Sequence, residues 1–84
     1  MKLIFDDKAW DDYLEWQKTD MRMVKRINIL IRDIMRDPFD GIGKPEPLKY
    51  ALAGFWSRRI DEEHRIVYRV TDDSLQIAQL KYHY

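Results

Sequence analysis

The sequence predicts an α+β fold in the order β-α-α-β-β-β, with two N-terminal helices packed on one face of a mostly antiparallel, twisted sheet. Three observations predict it. One apolar stripe, Val24, Ile27, Ile31 and Ile34, recurs at steps of three and four residues before Arg36. Three short segments rich in β-branched and aromatic residues, 55–60, 64–70 and 75–82, are separated by the acidic turns Asp61-Glu62-Glu63 and Asp72-Asp73-Ser74. A short apolar run, Leu3-Ile4-Phe5, opens the chain ahead of both patterns.

That opening run reads as a strand that ends at Asp6-Asp7, where an acidic residue can cap the helix that follows. Trp10, Tyr13 and Leu14 recur at helical spacing and mark the first helix, and Thr19-Asp20 then offers a second cap before Met21. The apolar stripe carries the second helix to about Arg36, and Asp37-Pro38 stops it. Residues 37–47 hold five of the six Gly and Pro residues and read as a long loop, a feature that in a small domain is often functional. The three remaining segments are strands joined by two hairpins.

With 84 residues the chain is expected to be a single domain, 1–84, whose small core leans on large side chains. Three Trp, five Tyr and three Phe supply them, so neither a disulfide nor a metal is needed to account for folding. The absence of cysteine excludes thiol catalysis, Cys-based metal sites and disulfides. The N-terminal apolar run is too short for a signal peptide, and no apolar stretch approaches a membrane span, so a cytoplasmic protein is expected.

Fifteen basic and fifteen acidic residues cancel, which argues against a polycation that coats nucleic acid through bulk charge. Their distribution is uneven. Asp6, Asp7, Asp11, Asp12, Glu15 and Asp20 make the first segment acidic, and Arg22, Lys25, Arg26, Arg32 and Arg36 make the next one basic. The basic run is either a solvated helix face or a surface that meets phosphates or an acidic partner.

His64 and His83 are the only side chains whose ordinary titration lies near neutrality. His64, beside Asp61-Glu62-Glu63, reads as a solvated histidine near carboxylates. His83 lies between Tyr82 and Tyr84 at a chain end that would ordinarily fray.

A three-residue turn at 61–63 would set Arg59 opposite Arg65, whereas a two-residue turn would set Arg58 there instead. Like charges opposed across a hairpin are unfavourable unless an anion lies between them or carboxylates neutralise them. Glu46, between Pro45 and Pro47, has a restrained backbone, which suits a catalytic base and equally suits a stiff turn. Lys44 and Lys49 flank it and offer charge to a phosphate. Gly41 and Gly43 lack the following residues of a phosphate-binding loop. Asp11-Asp12 and Asp72-Asp73 are expected to be solvated rather than metal-binding, and Ser57 and Ser74 have no base placed by sequence.

Taken together, Gly43-Lys44-Pro45-Glu46-Pro47-Leu48-Lys49, Gly54-Phe55-Trp56-Ser57-Arg58-Arg59-Ile60, Glu63-His64-Arg65-Ile66-Val67-Tyr68 and the terminal Tyr82-His83-Tyr84 resemble the YoeB toxins of the RelE/ParE-like superfamily. The resemblance covers essentially the whole chain, with Lys81 where Arg is expected and Tyr50-Ala51 less polar than the family tends to be.

It implies a type II toxin-antitoxin toxin that cleaves messenger RNA in the A site of the 70S ribosome without a cofactor or metal. A YefM-like antitoxin would restrain it, and homodimers would form. By the same resemblance Glu46 would be the catalytic carboxylate, Arg65 the phosphate-stabilising arginine and His83 the imidazole. Tyr84 would assist catalysis, and Lys49 and Arg59 would bind RNA. The rival of a different class is a ParE-like, non-catalytic inhibitor of DNA gyrase, which would need no acid-base pair. A plain protein-binding module would need none of these groups.

Overall fold

The structure, a computed structural model, describes residues 1–82. Strand β1 (Lys2–Phe5) leads into helix α1 (Asp7–Thr19). Asp6 holds the N-cap position with extended backbone, but its side chain makes no capping bond. Its N–H is instead donated to the Ile77 carbonyl at 2.9 Å, so the helix start is set by the sheet.

The buried face of α1 is Ala9, Asp12 and Trp16, not the stripe of Trp10, Tyr13 and Leu14 that the sequence suggests. Trp10 and Leu14 are exposed. The reason is polar: the Asp12 carboxylate accepts the Leu80 N–H at 2.9 Å and the Lys8 ammonium at 3.1 Å, and the Trp16 indole donates to the Leu80 carbonyl at 2.9 Å. Asp12 is therefore buried and paired, which corrects the expectation of a solvated side chain. Trp10 and Tyr13 join Phe5 in an aromatic cluster beside β1, with ring centroids 5.6 to 6.0 Å apart.

Helix α2 (Met21–Arg36) begins where expected, with the Asp20 side chain accepting the Arg22 N–H at 3.0 Å. Val24, Ile27, Ile31 and Ile34 are all buried, together with Met23 and Leu30. Arg22, Lys25, Arg32 and Arg36 face solvent, and Arg22 and Arg36 pair with Asp20 and Asp33. No helix among the described residues is long and apolar enough to cross a membrane.

The expected loop at 37–47 ends in a strand, so the sheet has five strands where the sequence predicts four. Strand β2 (Glu46–Pro47) pairs antiparallel with β3 (Trp56–Arg59), which is followed by β4 (Arg65–Val70) and β5 (Ser74–Gln79). A two-residue strand flanked by prolines has no periodicity to detect. Pro47 lacks an N–H and is tolerated because β2 is an edge of the sheet, whose order is β1-β5-β4-β3-β2. Only β1 and β5 run parallel, so the sheet is mostly antiparallel as expected.

Ile66, Tyr68, Leu75 and Ile77 of the sheet pack with Ile27, Leu30 and Ile34 of α2 and with Ala9 and Trp16 of α1. Alternation along a strand sends Arg65 and Val67 to the opposite face, which the helices do not cover.

Candidate active site

Register assembles the site on that helix-free face. Glu46 pairs with Ser57, Ser57 with Val67, and Arg59 with Arg65. Directly paired residues share a face, so Glu46, Ser57, Arg59 and Arg65 project to the same side across β2, β3 and β4. Glu46 and Arg65 lie two strands apart, about 10 Å across the sheet, and are offset by two residues along it. Buried Ser57 lies between them, and its Oγ accepts the Arg65 Nη1 donor at 3.5 Å. The three-residue turn is the one formed: Ile60 donates to the His64 carbonyl at 2.9 Å, and the two arginines face each other at the mouth of the hairpin.

Two non-glycine residues in the left-handed region, Lys44 at φ 55° and Tyr50 at φ 58°, bracket this part of the site. Such backbone persists only where neighbours over-determine it. Gly43 accepts the Arg59 N–H through its carbonyl at 2.7 Å, and Leu48 donates to the Phe55 carbonyl at 2.9 Å, fixing both ends of the Glu46 segment. Glu46, Leu48, Lys49 and Tyr50 line an open groove of about 580 Å³. Lys49 thus shares a groove with Glu46. Arg59 lines a separate one of about 370 Å³ with Arg26, Gly43 and Lys44.

Arg58, the neighbour considered for anion binding, is fully buried and serves the loop instead. Its guanidinium donates to the Asp33 carboxylate at 2.6 Å and to the carbonyls of Asp37, Asp40 and Ile42. Tyr68 donates its hydroxyl to the Pro38 carbonyl at 2.6 Å and accepts from Arg58 Nε at 3.2 Å. The Arg58 guanidinium, the Ile42 N–H and Arg36 together hold the Asp33 carboxyl below its ordinary range. Burial pushes the Tyr68 phenol up. Sequence reasoning missed this loop anchor because charge alone does not tell an inward arginine from an outward one; the alternation of β3 about Ser57 and Arg59 is the signal that separates them.

His64 is buried, not solvated as expected. Its ring meets Trp16 edge-on at 4.9 Å, and its Nδ1 accepts the Tyr82 N–H at 2.8 Å. The chain end is clamped through Tyr82, with Leu80 held by Asp12 and Trp16 and with Lys81 donating to Glu15 at 2.6 Å. That contact lowers the Glu15 carboxyl and raises the Lys81 ammonium. His83 and Tyr84, two of the sequence-predicted site residues, lie outside the described residues.

The family model of the YoeB-like toxin of bacterial type II toxin-antitoxin systems matches residues 5–84. A toxin YoeB of Escherichia coli (strain K12) is 68% identical over 84 residues, the whole of both chains. A structure of a YoeB dimer from Staphylococcus aureus superposes with a TM-score of 0.93 at 48% identity, covering 100% of this chain and 98% of that one. A heterotetrameric YoeB-YefM toxin-antitoxin complex from the same organism superposes with a TM-score of 0.92 at 48% identity and the same coverage. The polar side chains on the helix-free sheet face thus sit in a chain that belongs to the YoeB-like toxins of bacterial type II toxin-antitoxin systems.

Proposed function

We propose that this toxin is an endoribonuclease that cuts messenger RNA in the A site of the 70S ribosome, in the cytoplasm, and so stops translation. The observation that supports it is the placement of Glu46 and Arg65 on either side of Ser57 on one helix-free sheet face. RNA carries its own nucleophile, so the reaction needs two proton transfers and a charge stabiliser. Glu46 takes the proton of the 2′-hydroxyl as its oxygen attacks phosphorus. Arg65 stabilises the added negative charge on the phosphoryl oxygens, and His83 protonates the departing 5′-oxygen. The products are a 2′,3′-cyclic phosphate and a 5′-hydroxyl.

Tyr84 orients the imidazole or stacks on a base. Lys49 and Arg59 hold flanking phosphates from the two grooves, and an anion between Arg59 and Arg65 relieves the repulsion their register imposes. A YefM-like antitoxin restrains the toxin, as the Staphylococcus aureus complex suggests, and two copies pair as in the dimer from that organism.

The test is induction of the toxin with and without its antitoxin, followed by mapping of RNA ends on translating ribosomes. Cleavage within A-site codons that disappears in Glu46→Gln is the expected result. Intact RNA accompanied by arrested DNA supercoiling would instead place the protein with gyrase inhibitors. The role of His83 is read with a 5′-bridging phosphorothiolate substrate, whose sulfur leaves without a proton. His83→Ala should be slower on ordinary RNA by roughly 10²-fold or more and close to wild type on the thio substrate. Equal slowing on both would remove it as the general acid.

A further inference from the structure

Tyr82 is the last described residue, and its backbone takes a conformation that its side chain does not favour. Its φ is 61°, in the left-handed region where a bulky L-residue is seldom found. The ring is 56% exposed, so packing alone does not impose the geometry. Both backbone polar groups are gripped instead by adjacent residues at the start of β4: the Tyr82 N–H donates to His64 Nδ1 at 2.8 Å, and the Tyr82 carbonyl accepts the Arg65 N–H at 3.1 Å.

His64 is itself held by its backbone and its ring. Its N–H donates to Asp61 Oδ1 at 2.7 Å, its carbonyl accepts from Ile60 at 2.9 Å, and its ring lies between Trp16 and Tyr82, at 4.9 and 5.3 Å. Nε2 faces the Glu63 carboxylate at 3.6 Å, which favours the tautomer with hydrogen on Nε2 and leaves the Nδ1 lone pair for Tyr82.

We propose that His64 is a positioning residue whose Nδ1 holds Tyr82, the residue that precedes His83 in sequence, in its left-handed turn. The neighbouring Arg65 closes the same grip with its N–H while its side chain reaches Ser57. The phosphate-binding arginine and the residue before His83 are consequently joined at one point of the backbone. The link to catalysis rests on the nuclease activity proposed above; the grip on Tyr82 does not.

Two substitutions separate positioning from packing. His64→Phe keeps a ring against Trp16 and removes the acceptor, whereas His64→Asn keeps an acceptor near the place of Nδ1 and gives up the ring. The Phe variant should be the more stable of the two yet lose about 10- to 100-fold in kcat with KM little changed, the cost of a misplaced catalytic group. The Asn variant should melt at a lower temperature yet keep most of the wild-type kcat. In amide hydrogen exchange, Tyr82 should be protected in the wild type and in the Asn variant and unprotected in the Phe variant.

Wild-type turnover in His64→Phe, equal loss in both variants, or unchanged protection of Tyr82 in His64→Phe would overturn the proposal. Should the wild type leave RNA intact, the nuclease activity fails, and the exchange of the Tyr82 amide still decides the grip.

Discussion

Arg58 shows how much one side chain organises here. A guanidinium with 0% exposure is tolerated because the Asp33 carboxylate and the carbonyls of Asp37, Asp40 and Ile42 surround it. Arg58→Met removes the donor shared by these four acceptors, while Asp33 keeps the Ile42 N–H and Arg36, and it should lower the unfolding free energy by roughly 1 to 3 kcal/mol in denaturant titrations. A loss under about 1 kcal/mol would mean that the loop stands without its anchor. The outward neighbour behaves differently. Arg59→Ala should leave stability nearly unchanged and raise the KM for RNA several-fold with a smaller fall in kcat, because the proposed phosphate contact, present in ground and transition states alike, would act on binding. Unchanged KM with abolished turnover would move Arg59 into the reacting group.

At the scale of elements, the segment that carries Glu46 is held by its neighbours rather than by its own propensity. Gly43 sits at φ +79°, and a Cβ there would stand 2.9 Å from Leu30 Cδ2 and 3.0 Å from the Arg59 carbonyl oxygen. Gly43→Ala therefore strains the backbone and crowds α2 against β3, and it should cost about 1 to 3 kcal/mol. Its effect on cleavage should exceed that of the stability loss, since β2 shifts with the Gly43 carbonyl that holds Arg59. Kinetics at a temperature where the variant remains folded will show it, and wild-type turnover there would mean that β2 keeps its place without this contact. The basic exposed face of α2 belongs to the same scale: an acidic antitoxin segment attracted to it should associate more slowly as salt rises, and an association rate independent of salt would contradict that attraction.

For the molecule as a whole, the paired carboxylates and the buried phenol set the pH range of stability. The folded-state pKa of Asp33 lies below its ordinary value, chiefly through Arg58, so its contribution is complete above the carboxylate range and is lost as pH falls through it. The Tyr68 phenol is raised by burial, so its contribution is present below about pH 10 and is lost as pH rises further, when the oxygen can no longer donate to Pro38. Melting temperature should fall on both limbs. Asp33→Asn should flatten the acid limb and Tyr68→Phe the alkaline one, each lowering the plateau between; an unchanged acid limb in Asp33→Asn would assign it to other carboxylates.

Much of this architecture was legible in the chain. The period of Val24, Ile27, Ile31 and Ile34 can be buried only by a helix, and the acidic turns at 61–63 and 72–74 leave little choice but hairpins. Glu46, Arg65 and the terminal motif were singled out through their resemblance to the toxin family, not through periodicity. The tertiary structure decided what depends on partners far along the chain. Asp12 turned inward because Leu80 needed an acceptor, β2 formed because β3 offered an edge, Arg58 turned from a candidate phosphate ligand into a loop anchor, and His64 left solvent to hold Tyr82. Local patterns report which face of an element is apolar. Where the buried partner is a charge or a lone pair, the pairing is made across 18 to 68 residues of sequence, and only the folded chain brings its two halves together.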